Sequence, residues 1–328
     1  MKAKKTSSGK RKGKPDQRAK GARPNMGVKI AGIPLKNPVM TASGTFGYGN
    51  EFVPFFDLNA LGAIIVKTVT MHPRPGNAPP RIAETPGGML NSIGLQNVGI
   101  DFFLKEKLPF LRTLATPLLV NIAGKSVEEF ADLAKRLSDA DGTAAIELNI
   151  SCPNVAGGLD FGTDPRLTYE VVRSVRQSTS LPVIPKLSPN VTDVTVIARA
   201  AADAGADALS LINTIVAMVI DIHGRRPKLP GATGGLSGPA IRPIAVRMIW
   251  EVAQVVKIPL IGIGGIMTGN DAVEFLLAGA TAIQVGTANY LDPFATMKVL
   301  EGIETYLIRH KFDAVTHLIG AALPSETR

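Results

Sequence analysis

Three observations predict an α/β fold for this chain, a (β/α)8 TIM barrel with a short N-terminal β-hairpin. Eight apolar, β-branched runs alternate with helical patterns along the sequence. The runs are continuously apolar, which indicates strands buried on both faces and therefore a parallel sheet covered by helices. Eight such units in roughly 290 residues match the size of this barrel.

The elements follow in order along the chain. Residues 28–38, VKIAGIPLKNP, predict the hairpin. Barrel strands are predicted at 38–42, 62–68, 117–122, 144–150, 182–187, 207–213, 258–263 and 281–286. Helices are predicted at 126–138, 166–178, 193–204, 239–256, 270–278 and 293–309. Asp193 and Asn270 are the expected N-caps of two helices, and an AGA sequence ends two.

A doubly wound sheet is the alternative architecture. It would carry a G-x-G-x-x-G loop after its first strand, and TASGTFGYGN (41–50) does not fit that pattern. Pro185 is unusual for either fold because it lies inside a central strand and cannot donate a ladder hydrogen bond. We therefore expect a bulge or one-sided pairing at Pro185.

Composition limits the chemistry that the chain can support. Of its 328 residues, 45% are apolar, which is ample for a large core. The single cysteine excludes an internal disulfide, and it excludes an iron-sulfur cluster built by this chain alone. The four histidines are scattered without ligand spacing, so no metal site is predicted. A reducing, cytoplasmic setting is the default expectation.

The positive charge is confined to the N-terminus. Residues 1–25 hold seven Lys, three Arg and one Asp, whereas the rest of the chain has 26 basic and 26 acidic residues. We therefore predict a disordered basic tail (1–25), the barrel (26–312) and a C-terminal extension (313–328). The tail either binds an anionic surface loosely or is only solvated, and the second is favoured. It lacks the apolar core of a signal peptide, and no stretch approaches the ~20 apolar residues of a membrane-spanning helix.

Polar residues cluster at the predicted carboxyl ends of the strands, where barrel enzymes carry their sites. One asparagine there is as easily a cap or turn residue, but the whole set predicts a pocket for a planar, polar anion. The loop NSIGLQN (91–97) adds to it. The residues at the strand ends are mainly amides, hydroxyls and lysines: Ser43, Gly44, Lys67, Thr68, Asn121, Asn149, Lys186, Asn213 and Thr214.

Glycines end the last two strands. Gly264-Gly265 precedes a helix that opens near Asn270, and Gly286-Thr287 ends the next strand. If only one strand ended in glycine, a tight turn alone would explain it. Two such ends on adjacent strands favour a phosphate site, because glycine lets backbone N–H groups approach an anion near a helix N-terminus.

Cys152 lies just past the fourth strand, in ELNISCPN (147–154). A lone cysteine is usually an inert buried residue. Here it precedes a long Gly-rich loop, PNVAGGLDFGTDP (153–165), which could act as a lid. Because no histidine lies near a strand end to activate a nucleophile, a general base is the favoured role.

Several long stretches between residues 28 and 300 match a known family. They include NPVMTASGTFGYGNEF, ETPGGMLNSIGLQNVG, ELNISCPNV, KLSPNVTD, TGGLSGPAIRPIAVRM, IPLIGIGGI and AIQVGTANY. In these stretches the chain resembles the dihydroorotate dehydrogenases. The resemblance implies an FMN-bearing barrel that oxidises (S)-dihydroorotate to orotate in de novo pyrimidine (UMP) biosynthesis.

The resemblance also implies roles for individual residues. Cys152 would remove a proton from substrate C5 while a hydride passes from C6 to FMN, and Lys186 would stabilise negative charge on the reduced flavin. FMN would contact Ser43, Gly44, Lys67, Thr68, Asn121, Asn149, Lys186, Ile212, Gly238, Gly264, Gly265, Gly286 and Thr287. The pyrimidine would contact Lys67, Asn91, Ser92, Ile93, Gly94, Leu95, Asn149, Asn213 and Thr214.

Within the family, NSIGLQN and KLSPNVTD resemble the NAD-dependent class 1B catalytic subunit. That type implies a homodimer of this chain joined to an iron-sulfur flavoprotein subunit carrying FAD, a heterotetramer without nucleic acid or membrane span. The fumarate-linked class 1A enzyme is the main alternative. The quinone-linked class, with an apolar N-terminal helix and a serine base, is less similar. The basic tail and Pro185 depart from the family pattern.

Proteins of other classes are further alternatives. An FMN-dependent tRNA dihydrouridine synthase would need a basic face on the body, and the zero net charge of residues 26–328 disfavours it. A non-catalytic RNA- or membrane-surface protein would act through the tail. The pyrimidine-reducing barrel of larger flavoenzymes normally adjoins cluster-bearing domains, for which this chain lacks the cysteines.

Overall fold

The strands of the computed structural model, which describes residues 23–151 and 161–325, form a central parallel sheet and three smaller antiparallel sheets. In chain order they are β1 (Val28–Ile30), β2 (Ile33–Leu35), β3 (Val39–Thr41), β4 (Ile64–Val69), β5 (Ile82–Thr85), β6 (Gly88–Asn91), β7 (Leu118–Ile122), β8 (Ala145–Asn149), β9 (Val183–Leu187), β10 (Leu209–Leu211), β11 (Ile215–Ala217), β12 (Ile220–Asp221), β13 (Arg226–Pro227), β14 (Gly234–Ser237), β15 (Leu260–Ile263) and β16 (Ala282–Val285).

The parallel sheet is the predicted barrel. Its eight strands are ordered β3-β16-β15-β10-β9-β8-β7-β4. A parallel bridge between Met40 and Ala63, with a 2.9 Å hydrogen bond from Gly62 N to Val39 O, joins the first strand to the last and closes the sheet. Each strand overlaps one predicted run, and β1 pairs with β2 as the predicted hairpin. The TIM-barrel prediction is therefore confirmed.

Helices cover the outside of the barrel. A π-helical turn, Phe103–Lys107, connects the first two helices, and 3-10 turns lie at Asn50–Phe52, Leu58–Ala60, Pro239–Ile241 and Val315–Leu318. The six predicted helices correspond to α3–α7 and α9 in the following list. The helices are α1 (Gly99–Phe102), α2 (Leu108–Leu111), α3 (Val127–Ser138), α4 (Pro165–Ser178), α5 (Val194–Asp203), α6 (Arg242–Ala253), α7 (Gly269–Leu277), α8 (Ala288–Leu291) and α9 (Ala295–His310).

The helix boundaries follow local capping chemistry. Asp193 caps α5 as predicted, its side chain accepting from Thr195 N. The prediction that Asn270 caps α7 is wrong. That helix begins at Gly269, and Thr268 is the N-cap, because Thr268 and Asp271 bond each other's backbone N–H groups as a capping box. Gly205 and Gly279, the centres of the two AGA sequences, have φ of +99° and +119°, as helix-ending glycines do.

Pro185 is accommodated without a bulge. It pairs in register with Leu148 of β8, whereas the ladder with β10 begins one residue later, at Lys186. The prediction of one-sided pairing is confirmed. Pro185 therefore lies at a position where the ladder with β10 does not require an N–H donor.

A four-stranded antiparallel sheet, ordered β11-β14-β6-β5, was not predicted. It is built from insertions after the second and sixth barrel strands, and a short β12–β13 ribbon adjoins it in the sequence. Its strands have three or four residues and several glycines, so they lack the alternating apolar pattern from which strands are read. This sheet supplies one wall of the cavity described below.

The two ends of the described chain pack together on the barrel. Asn25 N donates to Asp313 O at 2.8 Å, and Val315 N donates to Asn25 O at 2.8 Å. Val315 and Leu318 are fully buried in the main core. Residue 25 and the start of the predicted C-terminal extension therefore belong structurally to the barrel. Residues 1–22 lie outside the described part, so the basic tail stays a prediction. No helix in 23–151 or 161–325 has the length and apolar character needed to cross a membrane.

Candidate active site

A cavity of about 360 Å³ opens at the carboxyl ends of the barrel strands. Its volume lies within the ~300–1,000 Å³ range of small-molecule sites. Most residues predicted for the site do line it: Ser43, Gly44, Lys67, Thr68, Asn91, Ser92, Ile93, Gly94, Leu95, Asn149, Lys186, Ile212, Asn213, Thr214, Gly264, Gly265, Gly286 and Thr287. Segments far apart in the sequence thus meet in one pocket, as their positions at strand ends predicted.

The amides on one side of the cavity hold each other in place. Asn213 Nδ2 donates to Asn149 Oδ1 at 3.0 Å and to Ser151 Oγ at 2.7 Å. Asn213 Oδ1 in turn accepts from Thr214 N at 2.8 Å. Because these contacts fix the side chains before a ligand arrives, the amides form a pre-organised set of donors and acceptors for a planar polar ring.

Asn190 extends this network but was not predicted as a site residue. Its Nδ2 donates to Thr214 O at 3.1 Å, and its Oδ1 accepts from Val216 N at 2.9 Å. It thereby ties the loop after β9 to the start of the antiparallel sheet. Asn190 also lines the cavity. Asn190 lies three residues after the end of β9, so a search for polar residues slightly past the strand ends would have identified it.

Lys67 is one of the two lysines that line the cavity. Among the described residues no carboxylate lies within ion-pair distance of its Nζ. Burial lowers the pKa of Lys67 below its usual 10.5, and the nearby Arg81 guanidinium lowers it further, against a smaller opposite effect of Glu51. An ammonium that is partly desolvated and unpaired gains much from an incoming anion. Lys67 is therefore placed to bind a ligand carboxylate.

The glycine wall of the cavity has free backbone donors. Gly264 and Gly265 follow β15 with φ of +126° and +74°, and Gly286-Thr287 follows β16. Within the described part of the chain, no acceptor is bonded to the N–H groups of these four residues. The nine-residue helix α7 begins four residues after Gly265. Free N–H groups beside a helix N-terminus suit a phosphate group.

Two predicted cofactor residues do not line the cavity. Asn121 is fully buried below it and donates through Nδ2 to Glu147 Oε2 at 2.6 Å. Its Oδ1 is buried and has no hydrogen-bond partner among the described residues. Gly238 lies behind the wall, where its carbonyl oxygen would be 2.8 Å from a Cβ placed on Gly265. Gly238 therefore shapes the glycine wall from behind.

Several lining residues escaped the sequence-based prediction. They come mostly from the antiparallel sheet and from residues just past strand ends: Thr45, Ile82, Met89, Ser151, Asn190, Val216, Thr233, Gly234, Gly235, Ser237 and Tyr290. Ser151 is buried, accepts from Asn213 and precedes Cys152 in the chain. Cys152 itself lies outside the described residues, and so do most of the residues of the predicted lid loop.

Fold and cavity together define a class of protein: a (β/α)8 barrel whose cavity is lined by lysines, amides and glycines and suits a polar anion. Comparison with known proteins narrows this class. The family model described as dihydroorotate dehydrogenase matches residues 25–307. The chain belongs to the dihydroorotate dehydrogenase family.

Three relatives illustrate the similarity. The chain is 60% identical over 300 residues to a protein of Citrifermentans bemidjiense, covering 91% of this chain and 98% of the relative. It is 61% identical over 302 residues to one of Geotalea uraniireducens, covering 92% and 99%. It is 61% identical over 300 residues to one of Geobacter sulfurreducens, covering 91% and 98%. Each is named dihydroorotate dehydrogenase B (NAD(+)), catalytic subunit, which agrees with the predicted class 1B resemblance.

Proposed function

We propose that this chain is the catalytic subunit that oxidises (S)-dihydroorotate to orotate in pyrimidine biosynthesis, with electrons passing to FMN and finally to NAD through a partner subunit. One observation carries the proposal: the barrel mouth brings two lysines and four asparagines together with a wall of backbone N–H groups to which no acceptor in the described ranges is bonded. Cations and amides suit the carboxylate and ring of the pyrimidine, and the glycine wall suits a phosphate.

The residues present fit FMN. The N–H groups of Gly264, Gly265, Gly286 and Thr287 would hold its phosphate, and the buried, unpartnered Asn121 Oδ1 offers an acceptor for a ring N–H. When bound, FMN supplies the acceptor for the two electrons that leave the substrate. The side chains predicted to contact it, Ser43, Thr68, Asn149, Lys186 and Ile212 among them, line the same cavity.

The chain's own groups would bind and orient the substrate. Lys67 would pair with the carboxylate of dihydroorotate, and the linked amides of Asn149 and Asn213 would hold the ring in register. Asn91, whose Nδ2 donates to Gly235 O at 3.2 Å, fixes the 91–95 loop to the antiparallel sheet, which would cover the ring's other edge. These contacts limit the orientations in which the substrate can react.

Cys152 would be the general base that takes the C5 proton. Its neighbour in the chain, Ser151, lines the cavity, and this supports a base acting at that site. Proton removal at C5 and loss of the C6 hydride together create the C5=C6 double bond of orotate, so atoms and charges balance. Lys186 would stabilise the negative charge that reduction adds nearby.

The proposal includes partners and a setting. We infer a homodimer of this chain joined to an iron-sulfur flavoprotein subunit carrying FAD, because the relatives are named as catalytic subunits of an NAD-linked enzyme. The single cysteine is consistent with a cluster carried elsewhere. We place the complex in the cytoplasm.

Anaerobic mixing tests this function. The purified full-length chain should be yellow with bound FMN and should bleach when dihydroorotate is added. Addition of the partner subunit and NAD should restore the colour, whereas fumarate alone should restore it no faster than buffer. A yellow protein that dihydroorotate leaves oxidised would refute the assigned substrate. Rapid recovery with fumarate would instead assign the class 1A chemistry.

Orotate binding should depend on pH through Lys67. Since its pKa lies below 10.5, Lys67 loses its charge at a lower pH than a free lysine, and orotate affinity should fall over that alkaline range. Replacing Lys67 with Gln should weaken binding about 10- to 100-fold at neutral pH, the effect of losing one charge-assisted bond. Flavin absorbance changes during orotate titration report the affinity.

The matched control is Lys67→Arg, which stays charged over the whole range. The affinity of this variant for orotate should not fall in the alkaline range. The comparison with wild type therefore separates titration of Lys67 from titration of the ligand. The same alkaline fall in wild type and in the Arg variant would exclude Lys67 as the carboxylate partner.

A further inference from the structure

A buried carboxylate lies below the cavity and takes no part in the proposed reaction. Glu147 of β8 is fully buried inside the barrel. Barrel interiors are mostly filled by branched apolar side chains, and a buried charge is costly unless it is paired and hydrogen-bonded. A carboxylate at this position therefore requires a compensating set of contacts.

Three donors from three other strands bind Glu147. Asn121 Nδ2 donates to Oε2 at 2.6 Å, and Ser210 Oγ and Gln284 Nε2 donate to Oε1 at 2.8 and 2.7 Å. All three are groups that donate to an acceptor-only carboxylate. With Lys186, the cluster joins five of the eight barrel strands.

Lys186 is the only one of these partners that also lines the cavity. Its Nζ lies 3.9 Å from Glu147 Oε2, which is within ion-pair range but too long for a hydrogen bond. The carboxylate therefore offsets the ammonium charge without occupying its three N–H groups. No hydrogen-bond acceptor among residues 23–151 and 161–325 is bonded to those donors, and Lys186 lines the cavity. Lys67, the other cavity lysine, has no such counter-charge in the described part of the chain.

We propose that Glu147 is a positioning residue that limits the positive field of Lys186 at the FMN site and thereby holds the reduction potential of bound FMN low. This inference rests on the proposed FMN-dependent function. Reduction adds negative charge to the cofactor, so a cation at the cavity floor favours the reduced form, and a carboxylate 3.9 Å behind that cation weakens the preference. A low potential suits electrons that must pass on to NAD.

The test variant is Glu147→Gln, which removes the charge and keeps the shape. Gln284 Oε1 has no partner among the described residues, so a rotation of its amide can accept a bond from the new side chain. The variant should still bind FMN, and its midpoint potential, measured by spectroelectrochemistry at pH 7, should shift to a more positive value. Equivalently, its affinity for reduced FMN should rise relative to oxidised FMN by about tenfold or more, as expected for loss of one buried countercharge.

Two controls separate a field effect from a structural one. Ser210→Ala removes one bond to Glu147 without changing charge, so it should lower the melting temperature and leave the potential unchanged. In a Lys186→Gln background, Glu147→Gln should still shift the potential to a more positive value, because the field of Glu147 at the cofactor adds to that of Lys186 and does not depend on it. A purely structural Glu147 would lower the melting temperature in both single variants and shift the potential in neither, which would overturn the proposal.

Glu147→Asp covers the case in which the Gln variant does not fold. It keeps the charge but moves it by one methylene, so the potential should lie between those of wild type and the Gln variant, and above wild type in any case. A potential equal to wild type would overturn the proposal. If the wild-type chain takes up no FMN, both this proposal and the proposed function fail. If the wild-type chain binds FMN and dihydroorotate reduces it, but the variant has the same midpoint potential as wild type, only this proposal is rejected.

Discussion

Replacing Cys152 with alanine should slow the reduction of bound FMN by dihydroorotate about 10²- to 10⁴-fold at pH 7, the usual contribution of a positioned general base. Proton loss from C5 then has no acceptor of suitable basicity. The substitution removes a small side chain, so FMN and orotate should bind as in wild type. Stopped-flow absorbance of the flavin under anaerobic conditions measures the rate.

Cys152→Ser is the matched control. A serine hydroxyl is a much weaker acid than a thiol, so its rate should be low at neutral pH and should climb with rising pH beyond the range in which wild type levels off. A rate in the alanine variant within about twofold of wild type, with orotate affinity unchanged, would remove Cys152 from the mechanism. Dihydroorotate oxidation would then need another base.

Replacing Gly265 with valine should abolish stable FMN binding. Gly265 has φ of +74°, and a Cβ at this position would lie 2.8 Å from Gly238 O and 2.9 Å from Arg242 N, both backbone atoms that cannot rotate away. A non-glycine residue held in this region costs about 1–3 kcal/mol before the clash is counted, and a β-branched residue is the least tolerated. The glycine wall must therefore shift, and FMN affinity should fall at least about 100-fold.

Gly231→Ala is the control for this substitution. The atoms nearest to a Cβ at Gly231 are 3.9 Å away, so alanine fits there without displacing its neighbours. The control should purify yellow, with FMN affinity close to wild type, while the Gly265 variant purifies colourless but folded by circular dichroism. A Gly265 variant that retains FMN at wild-type affinity would contradict the assignment of the phosphate to this wall.

The barrel could be predicted because its strands are buried on both faces. A run such as AAIELNI or TAIQVG is apolar almost throughout, and this pattern is typical of a parallel sheet covered by helices. The site could be predicted for a related reason. Parallel strands end at one edge, so Lys67, Asn149 and Asn213 meet there although they are far apart in the sequence.

The antiparallel sheet at the mouth of the barrel could not be predicted from the sequence pattern. Its strands are short and glycine-rich, for example Gly234–Ser237, and they are stabilised by pairing with distant segments and not by local propensity. The residues missed at the site, Gly234 and Ser237 among them, come largely from this sheet. Tertiary pairing of this kind leaves little periodicity in a single sequence.

The sequence contains a signal for the buried cluster around Glu147, but the prediction did not use it. Glu147 interrupts an apolar strand with one carboxylate, and Ser210 and Gln284 interrupt two other strands in the same way. Each is unremarkable alone, since one polar residue can face outward at a barrel end. Only the register, which turns all three into the barrel, shows that they meet. Asn121 was predicted to contact the cofactor, but a sequence does not show how deep in the barrel a side chain lies. Asn121 lies beneath the cavity and not in its wall.

The central claim is that one cavity at the barrel mouth holds FMN and the pyrimidine together. A crystal structure of the full-length chain with FMN and orotate tests it most directly. The phosphate should bond to the N–H groups of Gly264, Gly265, Gly286 and Thr287, the orotate carboxylate should pair with Lys67, and Cys152 Sγ should face C5 of the ring. Orotate bound away from Lys67, or FMN phosphate bound outside the glycine wall, would contradict the account.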